Sequence, residues 1–194
     1  MIDVREYVSR GDVGAFVELL LKWNNTINLI SSKTTANVMD RHVLDSLQIL
    51  EFIGDKDVSI IDFGSGGGFP GILLSIAGVR KVTLIESDAR KAAFLRQASK
   101  ISRHEVEVIN DRIENVENLE CDIITSRAFA DLDSVFGYSR NIQVRDKYLL
   151  HKGESYSDEM LKAKKHWLFN TIVHDSITSN RGKILEIRDV EYIS

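Results

Sequence analysis

The residues best suited to chemistry gather around one turn. Gly64-Ser-Gly-Gly-Gly-Phe-Pro-Gly71 places five glycines in eight positions, directly after Ser59-Ile-Ile-Asp-Phe63. Only glycine takes φ > 0 without strain and lets another group press on the backbone with no Cβ in the way. Ahead of a helix, such a turn presents free N–H groups to a nucleotide-like cofactor. Pro70 fits the first turn of that helix, where its missing N–H costs nothing. Glu86 closes the next apolar run, Lys81 to Ile85, 22 residues past Gly64. An acid near that offset, at the carboxyl end of a second strand, can hold ribose hydroxyls; its bland alternative is to cap the following helix. Arg127 follows a further run, Asp122-Ile-Ile-Thr-Ser126, at the strand end where such sheets bind ligands. Arg41 and Asp45 stand four apart, the spacing of a surface ion pair worth about 0.2–0.5 kcal/mol, and His42 beside them reads as structural.

Those groups need a scaffold, and the apolar periodicity supplies one. Val13, Phe16, Val17, Leu20, Trp23 and Ile27 predict an amphipathic helix over 12–28 with Asp12 as its N-cap, closing at Asn24-Asn-Thr26. Ser31 to Thr35 reads as a loop with a capping residue, and Val38, Val43, Leu44, Leu47 and Leu50 predict a second helix to Phe52. From Ser59 strands and helices alternate: strands at 59–63, 81–86, 105–109, 122–126 and 147–151, helices at 72–77, 89–102, around Leu132 to Phe136, and 155–167. Two last strand-like runs, 169–177 and 183–190, are joined only by Thr178 to Gly182. That link is too short for a crossover and demands an antiparallel hairpin. The row Arg96, Lys100, Arg103 reads as a solvated helix face.

Composition narrows the function classes. A chain of 194 residues with 43% hydrophobic and 28% charged content suits one soluble α/β domain with an N-terminal addition. The single cysteine, Cys121, cannot form an internal disulfide and suits a reducing compartment. No apolar run reaches the length of a membrane span and no signal peptide is evident. A net charge of −4 argues against a general nucleic-acid coat protein, although a local basic face can serve an RNA substrate. No metal-ligand spacing is present.

The glycine pattern alone does not name the cofactor. Counted from Gly64, the third glycine of Gly-x-Gly-x-x-Gly falls on Phe69; counted from Gly66, the pattern is met by Gly66, Gly68 and Gly71. A strand ending at Phe63 and a closing hairpin favour a methyltransferase-type sheet over a dehydrogenase. A nicotinamide-dependent oxidoreductase and a non-catalytic S-adenosylmethionine-binding module remain the alternatives.

The sequence resembles the bacterial RsmG family, also called GidB. The resemblance runs from Trp23 to Lys152 and rests on Trp23-Asn24 with Asn28-Leu29, Arg41-His42-x-x-Asp45-Ser46, Asp62-x-Gly64-x-Gly66-x-Gly68-Phe-Pro-Gly71, Leu84-x-Glu86, Lys91-x-x-Phe94-Leu-Arg96, Ser126-Arg-Ala-Phe-Ala130 and Lys152-Gly153. It implies an S-adenosyl-L-methionine-dependent enzyme that methylates N7 of a guanine in 16S ribosomal RNA. The implied fold is α/β: a Rossmann-like class I methyltransferase sheet, mostly parallel with a C-terminal antiparallel hairpin, plus N-terminal helices. Residues 1–55 would form a helical extension packed on a methyltransferase domain of residues 56–194. The cofactor would sit against Gly64, Gly66 and Phe69, with Glu86 on its ribose, Ile113 and Glu114 beside its adenine, and Arg127 close by. Asn28, Arg41, His42 and Lys152 would form the RNA-facing rim. The partner would be 16S rRNA or the small ribosomal subunit, met by a monomer in the cytoplasm. Guanine N7 already offers an unprotonated lone pair, so no general base is needed, and positioning becomes the main task of the protein.

Overall fold

The computed structural model of the protein describes residues 3–193. Its N-terminal part carries α1 (Val4–Val8), α2 (Gly11–Asn24), α3 (Ser32–Thr35), a π turn (Met39–Leu44), α4 (Asp45–Leu47) and α5 (Leu50–Ile53). The sheet region follows as β1 (Ser59–Phe63), α6 (Gly71–Ile76), β2 (Lys81–Ile85), α7 (Ala89–Ala98), β3 (Glu105–Ile109), β4 (Leu119–Arg127), α8 (Leu132–Tyr138), β5 (Ile142–Lys152), α9 (Tyr156–Ala163), β6 (Trp167–Asp175) and β7 (Lys183–Tyr192). The strands lie in the order β3-β2-β1-β4-β5-β7-β6. β1 to β5 run parallel, and β7 is antiparallel to both β5 and β6.

This order reverses direction between β1 and β4, which opens a crevice beyond their carboxyl ends. Register keeps those ends level: Phe63 pairs with Ile85 and with Ser126, and Arg127 pairs with His151. Gly64, Glu86, Arg127 and Lys152 therefore reach one edge of the sheet.

Both sheet faces are covered, as a parallel sheet requires. Ile60 and Leu84 face a core shared with Phe16, Leu20, Val43, Leu47, Ile72 and Phe94, whereas Ile61, Phe63 and Ile124 face Val135, Phe136 and Trp167. The N-terminal helices thus complete one face of the sheet. In α2 the inward stripe is Val13, Phe16, Val17 and Leu20, the helical spacing read from the sequence.

Several local expectations need correction. Arg10, not Asp12, is the N-cap of α2, and Asp12 accepts from the N–H of Val13 inside the first turn. Ser31 does cap a helix, accepting from the N–H of Lys33, but that helix is the short α3. The expected single helix from Val38 to Phe52 is broken. The carbonyl of Asp45 accepts from the side chains of Gln48 (2.9 Å) and His151 (2.7 Å), so side chains take the place of the backbone partner that would continue the helix. Strands β4 and β5 begin earlier than hydropathy predicts. Their charged openings are held by Arg145, which pairs across to Glu120 and Asp122, an arrangement invisible to an apolar-run reading. The hairpin strands start and end slightly off the expected bounds, at Trp167–Asp175 and Lys183–Tyr192. Pro70 sits at the N-cap of α6 rather than inside its first turn.

Candidate active site

Gly64, Gly66 and Gly68 all have positive φ, at 64°, 50° and 84°, so the turn needs glycine for its backbone path. The space above each differs. A Cβ on Gly64 would lie 2.3 Å from Cδ2 of Phe129, whereas a Cβ on Gly66 would meet nothing nearer than 3.6 Å. The bare backbone at 64 is covered by Phe129, and the open approach is at 66. Gly71 is glycine for packing, since a Cβ there would strike Leu84 at 2.3 Å.

Glu86 is locked beneath the turn. Its Oε2 accepts from the N–H of Gly66 (2.9 Å) and its Oε1 from that of Asp88 (2.8 Å). Asp88 itself caps α7 through Arg90 and Lys91, so the capping alternative for Glu86 fails. Each carboxylate oxygen keeps acceptor capacity after one N–H, enough for two vicinal hydroxyls. A cleft of about 370 Å³ opens here, lined by Gly64, Gly66, Glu86, Ile113, Glu114 and Phe129 among others. Its size suits a small-molecule site. Carboxylate, uncovered backbone and the apolar Ile85 and Ile113 match the ribose, the chain and the base of a nucleoside cofactor.

Two residues expected in this cleft lie elsewhere. Phe69 is 5% exposed and packs edge-on against Phe16 (5.5 Å) and beside His42 (5.2 Å). Its ring faces the N-terminal helices because the turn carries it under Gly67 rather than over Gly64. Arg127 likewise lines a neighbouring cleft.

That second cleft, about 400 Å³, is lined by Arg41, His42, Arg127, Lys152, Thr178 and Lys183 among others. Arg127 is its centre. Nη1 donates to Asp45 Oδ2 (3.0 Å) and to the carbonyl of Arg41 (3.2 Å), Nη2 donates to His42 Nδ1, and the guanidinium lies 5.0 Å from the Phe69 ring centroid, a cation–π distance. Asp45 therefore pairs with Arg127, and the expected surface pair with Arg41 does not form; Arg41 is exposed. A guanidinium can only donate, so His42 Nδ1 is an acceptor, and the ring's proton sits on Nε2, facing Thr34 Oγ1 at 2.8 Å. His42 is thus neutral. Burial first, then the Arg127 charge, pulls it down to about 4. His151 donates from Nε2 to the Asp45 carbonyl and is buried with its Nδ1 unpartnered, and burial lowers its pKa too.

Asp45 also ties in the hairpin. Its Oδ1 accepts from Thr178 (2.6 Å) and Gln48 (2.9 Å), and Gln48 in turn accepts from the N–H of Ile177 (2.9 Å). Within the π turn the Arg41 carbonyl accepts from Arg127 while His42 is buried, and such turns often occur at functional sites.

Lys152 departs from its expected place on an open rim. Its side chain is 7% exposed, paired with Glu159 (2.8 Å) and bonded to the Ala130 carbonyl (2.5 Å), so it fastens β5 to α9. Asn28 is exposed in a separate groove with Asn24, Asn25 and Ser31. Sequence reasoning missed Asp45 as the hub, Gln48, His151 and Thr178 as its partners, and Phe129 over the glycine turn. Phe129 and Asp45 stand within motifs that mark them out; nothing local in the sequence connects residue 45 to residue 178.

Asp62, at the end of β1, is wholly buried. Thr125 donates to its Oδ1 (3.0 Å), and burial pushes the carboxyl up to about 7 against that hydrogen bond. Cys121 is buried, and burial raises its thiol to about 12, which removes it as a nucleophile.

The model of one family, rRNA small subunit methyltransferase G (GidB), matches residues 11–188. The chain belongs to that family. Among its relatives, ribosomal RNA small subunit methyltransferase G of Rickettsia prowazekii is 53% identical over 178 residues, covering 92% of this chain and 93% of the relative. That of Rickettsia bellii is 49% identical over 194 residues, covering all of both. Solved structures share the fold at low identity. A TehB-like SAM-dependent methyltransferase from Corynebacterium glutamicum has a TM-score of 0.60 at 13% identity, covering 90% of this chain and 98% of that one. A ribosomal protein L11 methylase from Lactobacillus delbrueckii also reaches 0.60, at 11% identity, covering 79% and 78%. The methyltransferase family is thus favoured over the nicotinamide alternative. Among the described residues, no helix is long and apolar enough to cross a membrane, and no group of three or more His, Cys, Asp or Glu could hold a metal ion.

Proposed function

We propose that this protein transfers a methyl group from S-adenosyl-L-methionine to N7 of a guanine in 16S ribosomal RNA, acting as a cytoplasmic monomer on the rRNA or the small ribosomal subunit. Family membership supports the reaction class. The observation that carries the reading is the meeting of two unlike clefts at Ala128, one built around Glu86 and the other around Arg127. Residues 1–55 serve as an extension of a methyltransferase domain of residues 56–194, because they supply Arg41, His42 and Asp45 to that second cleft.

When bound in the Glu86 cleft, the cofactor supplies an electrophilic methyl on a sulfonium. Glu86 would accept from the ribose hydroxyls, Ile113 and Glu114 would flank the adenine, and the open backbone at Gly66 would admit the rest. Phe69 supports the site from behind by holding Arg127 and His42. Arg127 already has Asp45 as a partner, so we assign it to orienting the RNA wall rather than to holding the cofactor. Arg41 is the exposed cation available to phosphate, and Asn28 extends the RNA contact along its own groove. Both nitrogens of His42 are engaged, and burial disfavours the charged form of His151, whose Nε2 donates to Asp45 while its Nδ1 is left without a partner. An acceptor with a ready lone pair suits such a site, whereas an amine or carbon acceptor calls for a base.

The test is transfer of labelled methyl to small subunits from a strain lacking this modification, followed by nucleoside analysis. Label in 7-methylguanosine is expected. Label absent, or found in another nucleoside, would overturn the proposal.

A further inference from the structure

Phe129 covers Gly64 and lines the Glu86 cleft, and its surroundings are unusual for an aromatic residue. It follows Ala128, a non-glycine residue at φ 52°, a conformation that persists only where the surrounding structure enforces it and that gathers at ligand sites. That turn swings the ring out of line with β4 and across the glycine loop. The residue is 37% exposed, so a large apolar side chain at the clefts is left partly open to solvent. Its aromatic neighbours do not stack on it: Phe63 meets it at 71° (6.3 Å between centroids) and Tyr138 at 55° (5.9 Å). Neither is coplanar with it, so no aromatic side chain is stacked on the ring.

Phe129 lines the Glu86 cleft and also a smaller cavity of about 270 Å³ with Ser126, Asp131, His151 and Lys152. Ala128 lines both of these and the Arg127 cleft as well. The Ala128-Phe129 turn is therefore the partition between the place for a nucleoside cofactor and the place for a nucleic-acid substrate. Any acceptor base must come to rest against this partition. Unpaired bases in RNA are held by stacking on aromatic side chains.

We propose that Phe129 is the platform on which the target purine of the RNA stacks, its ring setting the plane of the base at the boundary of the two clefts. The inference rests on the methyltransferase reading above and adds to it a residue that touches the substrate. The partner is a purine base extruded from an RNA strand. Apolar bulk at this position suffices to cover Gly64; an aromatic face is needed to hold the base.

The experiment uses the full chain, small subunits lacking the modification, and three variants: Phe129→Tyr, Phe129→Leu and Phe129→Ala. Methyl transfer gives kcat and KM for the subunits, calorimetry gives the cofactor Kd, and thermal unfolding monitors the fold. Stacking of a base on an aromatic ring predicts that Phe129→Leu loses about tenfold or more in kcat/KM, a loss well beyond any change in its cofactor Kd, with a melting temperature close to wild type. Phe129→Tyr keeps most of the activity, and Phe129→Ala loses at least as much as Phe129→Leu. If Phe129→Leu matches wild type in kcat/KM, or if its loss is mirrored in cofactor Kd, the platform is refuted. A wild-type protein inactive on the subunits would overturn the methyltransferase reading and this proposal with it; an active wild type matched by Phe129→Leu overturns the platform alone.

Discussion

Replacing Asp45 by Asn tests whether the Arg127 network holds the two halves of the chain together. The Arg127 and Asp45 side chains are 16% and 20% exposed, so the pair is well shielded though not sealed. Breaking a buried pair by removing one charge costs about 3–5 kcal/mol, because the remaining charge is stranded. Residual exposure, and the acceptors left to Arg127 at the Arg41 carbonyl and His42, bring the expected loss for Asp45→Asn to about 2–3 kcal/mol. Arg127→Gln should cost less, about 1–2 kcal/mol, since Asp45 keeps the donors Thr178 and Gln48. The double variant removes both charges at once. Its cost should fall short of the sum of the two by about 1–2 kcal/mol. Urea unfolding followed by tryptophan fluorescence measures this. Trp23 lies against Phe94 and Trp167 against Phe136, on opposite faces of the sheet, so one signal reports on both layers. Additive single costs, with a coupling below about 0.5 kcal/mol, would show that the contact is energetically idle and refute the network.

Other expectations follow from the same geometry. His42 has its pKa lowered to about 4 in the fold; its stabilisation is complete above the unfolded value near 6.5 and is lost as pH falls toward 4. Asp62 has its pKa raised to about 7, so its contribution is complete below about 3.8 and is lost as pH rises through 7. Between about pH 5 and 6.5 the two slopes oppose one another. Asp62→Asn removes one of them, and unfolding free energies from urea titrations should then climb with pH by up to about 1.4 kcal/mol per unit relative to wild type; an unchanged slope would show that Asp62 does not titrate in that window. Gly64→Ala should lower stability by at least the roughly 1–2 kcal/mol of a left-handed alanine, with a further loss from the collision with Phe129. Pairing it with Phe129→Ala in a thermal melt should remove the second part and leave the first. Glu86→Ala should weaken cofactor binding about 10- to 100-fold by calorimetry, and a Kd within twofold of wild type would remove Glu86 from the ribose site.

The sheet was legible because its signals are local. Apolar strands closing at Phe63 and Ile85, a glycine turn between them, and a link too short for a crossover at Thr178 to Gly182 each settle one piece of topology. The Glu86 cleft was legible for the same reason: strand ends carry its residues, and register brings strand ends together. Charged stretches read worse. The openings of β4 and β5 are strands because Arg145 bridges Glu120 and Asp122, a pairing that no hydropathy window contains. The second cleft read worst. Spacing offered Arg41 as the partner of Asp45, but the π turn rotates the segment, and the true partner lies 82 residues away. Lys152 looked like an available cation and is consumed by Glu159 and Ala130. Side-chain pairing across the fold decides which charges remain free, and that information is not carried by neighbours in the chain.

The bond between Asp45 and Thr178 joins residues 133 positions apart, and it bears on timing. A chain emerging from its own ribosome folds from the N-terminal side first, so the early helices and the parallel strands can dock while the hairpin has yet to be made. Until Thr178 and Ile177 arrive, Asp45 and Gln48 lack partners they need, and the wall beside Arg127 stays incomplete. Every residue lining the Glu86 cleft lies at or before Tyr138, whereas the Arg127 cleft is closed by residues as late as Ile184.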